Sequence, residues 1–343
     1  MTSTSKKTEV RGNSIGKGVD IGTAFISCAE QAGDKVMFRS ERDAFFEIAY
    51  SSFTRNILNK AGVRYIKKGK KLYVVGNSAL EFANLFHRET RRPLSRGIIN
   101  PGEKESLAMI VVLLAGIIGE SKRSGEIAYY SVPGIPADAK FNTIYHEKVL
   151  HSFLTKLGYE PYPINEGQAV ILSELPEESF SGLGISFGGG MVNVCLCYLS
   201  VPTFSFSITK AGDWIDQQAA MATNETTSHV CAKKETSLNL NSDVQKNNIH
   251  NALSIYYNYL IEYVLENIKE AFENAEDRPS LDNPIPVILA GGTVKPQGFA
   301  NRFARLMNQT KLPFPVSGIK MAKQPLQAVA KGALIAARAH DAD

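Results

Sequence analysis

One pattern occurs twice in this chain, and it constrains the fold more than any single motif. Gly18-Val19-Asp20-Ile21-Gly22-Thr23 reads as a strand that bends on a glycine and returns through residues 24–29. The pattern restarts far downstream. Residues 182–186 form the strand, Phe187 to Gly190 the glycine turn, and residues 191–198 the returning strand. A second landmark follows in each copy. A strand over residues 126–132 breaks at Pro133-Gly134, and one over residues 285–290 breaks at Gly291-Gly292. Such self-similarity has to be met by the fold before anything else. Two α/β halves facing one another predict a cleft, and ligand clefts favour positions between domains. The length of 343 residues also exceeds what one core usually serves.

Helical spacing fills the intervals. Residues 103–119 are strongly apolar. Residues 138–157 carry Phe141, Ile144, Tyr145, Val149 and Phe153 on one face and stop at Gly158. A short strand is read over residues 162–164 and a helix over 166–175. Residues 246–274 form a long amphipathic helix with Ile249, Leu253, Tyr256, Leu260, Val264, Ile268 and Phe272 on one stripe. An alanine-rich helix over residues 326–338 closes the chain. Residues 45–87 read as an insertion, with a basic turn at 67–71, a strand at 72–76 and a helix at 78–86. The basic turn is read as a solvated face.

Composition excludes several classes. A formal charge of +4 over this length makes no case for nucleic acid as a partner. Cys195 and Cys197 sit two apart in a strand and Cys28 and Cys231 stand alone, so no tetrahedral zinc set is completed; buried, reduced thiols are expected. The longest apolar run, residues 107–119, is too short to span a bilayer. Residues 1–17 carry neither a signal-peptide core nor an amphipathic helix and are expected to be a disordered tail, which predicts a cytoplasmic protein without an N-terminal membrane anchor.

The chemistry lies in the turns. A glycine turn lets backbone N–H groups approach a phosphate because no Cβ intervenes. One such turn is commonplace; matching turns in a duplicated chain, with Gly291-Gly292 at a helix start, are far more specific. At this level the sequence resembles the actin superfamily, and within it bacterial actins of the MreB and MamK kind. Residues 18–23 resemble its first phosphate motif, Ile185–Gly190 its second, and residues 287–293 its adenosine motif. Residues 165–169 and 328–333 resemble its two connecting helices. Residues 73–76, 92–99, 131–134 and 210–213 also fit, and the resemblance runs from about Gly18 to Ala337.

The resemblance implies an actin-like α/β fold, two duplicated ribonuclease-H-like lobes around a nucleotide cleft. The first lobe would take residues 18–165, with 45–87 as its small inserted subdomain. The second would take 166–325, with a reduced, polar and strand-poor subdomain at 214–243, and residues 326–343 would return as a helix to the first. It implies ATP or ADP as ligand with Mg²⁺. Asp20 would hold the hydrated Mg²⁺. Gly22, Thr23, Gly188, Gly189 and Gly190 would cradle phosphate. Gly291, Gly292 and Thr293 would approach the nucleoside and α-phosphate, and Lys233, Lys234 and Glu235 would face the base, their plain alternative being a solvated charged stretch. Glu166 would orient the attacking water, its plain alternative being a helix-start glutamate held by the helix dipole. Ser186 stands where the family normally has aspartate. A serine carries no charge to balance Mg²⁺ or polarise water, which implies slow hydrolysis, or nucleotide binding without useful turnover.

Three functions follow. The first is a cytoskeletal filament protein whose partner is itself, assembling with ATP, with cytoplasmic adaptors or membrane-associated proteins as further candidates. The second is a non-polymerising nucleotide-binding module of chaperone, reactivase or scaffold type; a seventy-kilodalton chaperone would need a substrate domain for which the chain leaves no room. The third is a sugar or acetate kinase, which needs a catalytic base in a substrate pocket that the sequence does not display.

Overall fold

A computed structural model describes residues 16–86, 88–242, 247–275, 281 and 283–340. The first sheet opens with β1 (Lys17–Ile21), β2 (Phe25–Ala32) and β3 (Lys35–Arg42). An inserted subdomain follows: β4 (Phe45–Ala49), α1 (Ser52–Lys60), β5 (Tyr65–Lys68), β6 (Lys71–Val75) and α2 (Asn77–Leu85). A short hairpin, β7 (Leu94–Ser95) and β8 (Ile98–Ile99), leads to α3 (Ser106–Ile118). Then come β9 (Glu126–Val132), α4 (Ile144–Lys156), β10 (Tyr159–Asn165) and α5 (Glu166–Glu174). The second sheet starts with β11 (Gly182–Phe187), β12 (Val192–Tyr198) and β13 (Val201–Ile208), followed by α6 (Gly212–Thr223), α7 (Thr227–Ser237) and α8 (Asn248–Glu273). The chain ends with β14 (Ile285–Ala290), α9 (Phe299–Thr310), β15 (Val316–Met321) and α10 (Ala328–His340).

The duplication read from the sequence is present in the topology. One sheet runs β10-β9-β1-β2-β3 and the other β15-β14-β11-β12-β13. In each, a central strand pairs antiparallel with the next strand in the chain and parallel with a later one. Each sheet has its own core. Val19, Ile26 and Tyr130 pack with Leu113 and Leu114 of α3. Ile185, Val194 and Leu289 pack with Leu253, Leu260 and Val264 of α8. Helix α5 lies on β11 and β12, α10 lies on β1 and β9, and the two helices cross between the lobes. Small residues permit that crossing: a Cβ on Gly332 would stand 1.8 Å from the Ala169 carbonyl.

The structure corrects several sequence readings. The helix expected over residues 138–157 spans only Ile144–Lys156. The residues before it are held by the other lobe instead. Pro136 bridges to Ser207, the Ala137 N–H donates to the Ser207 carbonyl, and Asp138 accepts from the Thr209 N–H at 2.8 Å. The strand expected over residues 162–164 is the longer β10, whose Pro161 and Pro163 are tolerated because it is an edge strand. Lys17, read into the tail, is buried in β1 and ion-paired with Glu30; residues 1–15 of that reading lie outside the described residues, as do His87, Asp243, Lys246 and residues 341–343 of others. The polar stretch after Asp213 is helical, being α6 and α7.

Candidate functional site

The two glycine hairpins face each other across a cavity of about 540 Å³. They are built alike. The Gly22 N–H donates to the Phe25 carbonyl at 3.0 Å, and the Gly188 N–H to the Met191 carbonyl at 3.0 Å. Neither position leaves room for a side chain, since a Cβ would lie 2.9 Å from Phe25 O and 2.8 Å from Met191 O respectively. The hairpins also touch: a Cβ on Gly190 would fall 2.2 Å from Thr23 Oγ1, whose oxygen accepts from the Gly97 N–H at 3.0 Å. Gly291 takes φ +95°, and a Cβ there would sit 2.2 Å from the Phe187 carbonyl. Thr293 donates to the Gly188 carbonyl at 2.7 Å, tying the third glycine turn to the second.

Two carboxylates meet on the cavity floor. Asp20, at the end of β1, accepts from the Ser131 hydroxyl at 3.1 Å; that hydroxyl in turn accepts from the Ile21 N–H at 2.8 Å. Glu166 opens α5, which Asn165 caps by accepting from the Gly167 N–H at 2.8 Å. The Glu166 carboxylate accepts from Ser186 Oγ at 2.9 Å. Burial pushes the Asp20 pKa up to about 7, opposed by the Ser131 hydrogen bond. Burial, and then the charge of Asp20, push Glu166 up to about 8, against the hydrogen bond from Ser186 and the nearby Asn193 amide. Two acids that resist ionisation together are a place where a cation is favourable.

Other expected residues line the cavity with their polar ends engaged. Lys234 is buried and donates to Asp216 at 2.7 Å and to the Gly212 carbonyl at 3.1 Å. Burial alone would lower its pKa, but Asp216 outweighs this and keeps the ammonium charged. Glu235 pairs with Arg42 of the first lobe at 3.1 Å. Lys234 and Glu235 both line the cavity and belong to its ion pairs. Gly189 and Gly292 also line the cavity, the latter beside Leu326.

Sequence reasoning did not single out four residues that the fold brings here. Ser131 orients Asp20, and Asn193 lies beside Glu166 while accepting from the Gly134 N–H at 3.0 Å. Arg92 and Asp213 form an ion pair across the cavity, with Arg92 Nη1 3.0 and 2.9 Å from the two carboxylate oxygens. Ser131, Arg92 and Asp213 stand in the motifs at residues 131–134, 92–99 and 210–213 without a role of their own in sequence. The pairing of Arg92 with Asp213 spans 121 positions and has no local signature.

The donor set fits the ligand that the resemblance implies. At these three turns a Cβ would collide with neighbouring protein atoms, so glycine is what lets the backbone line the cavity closely, as a phosphate cradle requires. No cluster of three or more His, Cys, Asp or Glu side chains that could hold a metal exists among the described residues. Two carboxylates without a third ligand suit Mg²⁺, which keeps most of its waters and shares phosphate oxygens; they do not suit a metal needing a full protein cage. No helix among the described residues is long and apolar enough to cross a membrane.

Comparisons with known proteins agree with this geometry. A family model described as Volactin matches residues 15–337. No curated protein matches the sequence. Among solved structures, the chain is similar to the MamK double helical filament, at a TM-score of 0.73 and 17% identity, covering 94% of this chain and 98% of the other. It is similar to MreB5 of Spiroplasma citri bound to ADP, at 0.65 and 17%, covering 95% and 97%. A further likeness is to the ethanolamine utilization protein EutJ from Carboxydothermus hydrogenoformans, at 0.53 and 15%, covering 94% and 90%. These likenesses establish an actin-like fold of the MreB and MamK type.

Proposed function

The chain belongs to the Volactin family, and from that premise we propose an actin-like protein that binds ATP or ADP with Mg²⁺ in the cleft between its lobes, assembles with copies of itself into cytoskeletal filaments, and hydrolyses ATP slowly. The observation that carries the reading is the cavity floor. Asp20, Glu166 and Ser186 converge there between two glycine turns of the same construction. Asp20 would lean on the hydrated Mg²⁺, and Thr23 and Gly188 to Gly190 would wrap phosphate from both lobes. When bound, the ion would neutralise phosphate charge. Glu166, with its pKa near 8, is suited to accept a hydrogen bond from water and part of its proton. Ser186 donates to Glu166 instead of contributing a second charge, which supports slow turnover. The likeness to a filament supports self-assembly as the use of that turnover.

Sedimentation with Mg²⁺ and ATP, with ADP, and without nucleotide, with phosphate release read in parallel, tests this. Pelleting that depends on ATP is the expected outcome, with phosphate release slow. A protein that binds nucleotide yet stays in solution under all three conditions would mark a non-polymerising nucleotide-binding module.

A further inference from the structure

Helix α1, on the inserted subdomain, turns Leu58 inward onto Leu72 and Val74. Its outer face is apolar where a solvated helix would be polar. Phe53 is 77% exposed, and Ile57, one turn on, is 49% exposed. Lys60 follows on the same face and is exposed. The surroundings carry one sign of charge, since residues 50–71 contain seven Lys and Arg and no Asp or Glu. Arg64, Lys68 and Lys71 reach carboxylates elsewhere in the first lobe. Arg55, Lys60, Lys67 and Lys70 pair with no carboxylate among the described residues.

Helix α8, on the second lobe, presents the complement. Leu253, Leu260 and Val264 face the core, and the opposite side exposes Ile255 (57%) and Tyr259 (47%), again one turn apart. Tyr259 is held between the rings of Trp214, 5.4 Å away, and Tyr263, 6.1 Å away. Glu262, Glu266 and Glu270 continue that side, all exposed and none ion-paired among the described residues. Like charges four apart on a helix repel, so a basic partner would relieve this line of glutamates. The two faces share one spacing. Phe53, Ile57 and Lys60 on α1 match Ile255, Tyr259 and Glu262 on α8: two apolar side chains and then a charge, of opposite sign.

An exposed apolar patch with a charged rim marks an interaction site, and complementary charge selects its partner. Both halves lie on one chain, on different lobes, and both stay exposed within it. A second copy of the chain supplies what each half lacks. We propose that α1 of one copy docks on α8 of the next, Phe53 and Ile57 against Ile255 and Tyr259, with the basic residues around α1 facing the glutamates of α8. Such a contact is heterologous, so every addition leaves one α1 and one α8 open and the assembly extends. This contact rests on the self-assembly proposed above and gives it a surface.

Charge reversal tests it, by pelleting with Mg²⁺ and ATP. Arg55→Glu with Lys60→Glu makes α1 acidic, and Glu262→Lys with Glu266→Lys makes α8 basic. None of the four residues lines the nucleotide cavity, so both variants should bind a fluorescent ATP analogue as the wild type does, which also shows that they are folded. Each variant alone is expected to raise the concentration needed for pelleting at least tenfold. Mixed in equal amounts they are expected to pellet again, because each acidic α1 then meets a basic α8 and each basic α1 an acidic α8. Should a charge variant not bind nucleotide, Phe53→Ser, expected to give the same loss, decides in its place. If the wild type pellets and a folded variant pellets equally well, or if two soluble variants stay soluble when mixed, this contact is overturned and the filament reading stands. A wild type that pellets under no nucleotide condition overturns both. Binding of the wild type to phosphatidylserine vesicles, lost in the α1 variant while that variant still forms filaments, would assign α1 to a membrane surface instead.

Discussion

Asp43 shows how a single buried acid shapes the molecule's response to pH. Burial raises its pKa to about 8, against the Leu94 hydrogen bond and the charge of Arg92. An acid whose pKa is about 3.8 unfolded and about 8 folded binds more protons in the folded state between those values. Stability must then fall as pH rises through that window and level off above it. Asp43→Asn keeps the neutral shape, so thermal melts should show the variant gaining on the wild type from pH 5 to pH 8, by roughly 2–5 °C. An equal pH slope in both proteins would refute the assignment. Ser186 offers a second test. Ser186→Asp would add a third acid beside Glu166 and Asp20, lowering the melting temperature without ligand. With Mg²⁺ and ATP it should recover, and phosphate release should rise about tenfold or more. If release is unchanged and the wild type already turns over rapidly, Ser186 is not what slows the site. Asp20 and Glu166 could be named from sequence because each stands in a motif that resembles one of the actin superfamily. Ser131, Asn193 and Asp43 could not, because what matters in them is a contact made by distant backbone.

At the scale of elements, the crossing of α5 and α10 holds the design together. Helix α5 carries Glu166 to the second sheet, and α10 returns the chain's last helix to the first. They approach so closely that Gly332 sits against the Ala169 carbonyl, and Gly18 of β1 against the Ala330 carbonyl, where a Cβ would lie 2.1 Å away. Gly332→Ala would normally favour a helix by about 1 kcal/mol. Here it should destabilise by about 3 kcal/mol or more, because backbone rather than a flexible side chain must move. Chemical denaturation reads this directly, and a neutral or stabilising result would mean that the crossing is looser than described. The sequence displayed the repeated hairpins, the long α8 and the closing helix, since their periodicity is local. It hid the start of α4, because Ile135 and Ala137 are claimed by backbone bonds to Ser207 of β13 in the other lobe, and Asp138 by a side-chain bond to the Thr209 N–H. It hid the length of β10, because Pro161 and Pro163 argue against a strand unless its edge position is known. It also hid α6 and α7, whose polar faces leave little amphipathic signal.

For the whole molecule, the question is what holds two lobes closed around a ligand. The pairs Arg92–Asp213 and Arg42–Glu235 both cross the cleft and line its cavity. Asp213 does more than pair: its N–H donates to the Gly189 carbonyl at 2.8 Å, so the pair is anchored to the second glycine turn. The Asp213 charge raises the Arg92 pKa, which keeps the guanidinium charged at any working pH. A shift of the turn on binding phosphate would therefore be felt by Arg92 and, through it, by the first lobe. Partly exposed ion pairs are individually modest, about 1 kcal/mol or less, and salt weakens them. Release of a fluorescent ATP analogue should thus quicken roughly three- to tenfold in Arg92→Ala. It should quicken in the wild type as salt is raised, and the salt effect should shrink in the variant. The cycle of Arg92→Ala, Asp213→Ala and the double variant separates the pair from the packing of either side chain. Additive effects would place closure elsewhere, in the strap of residues 134–138 bound to β12 and β13. Coupling between the two would make the pair a latch whose strength the bound phosphate sets.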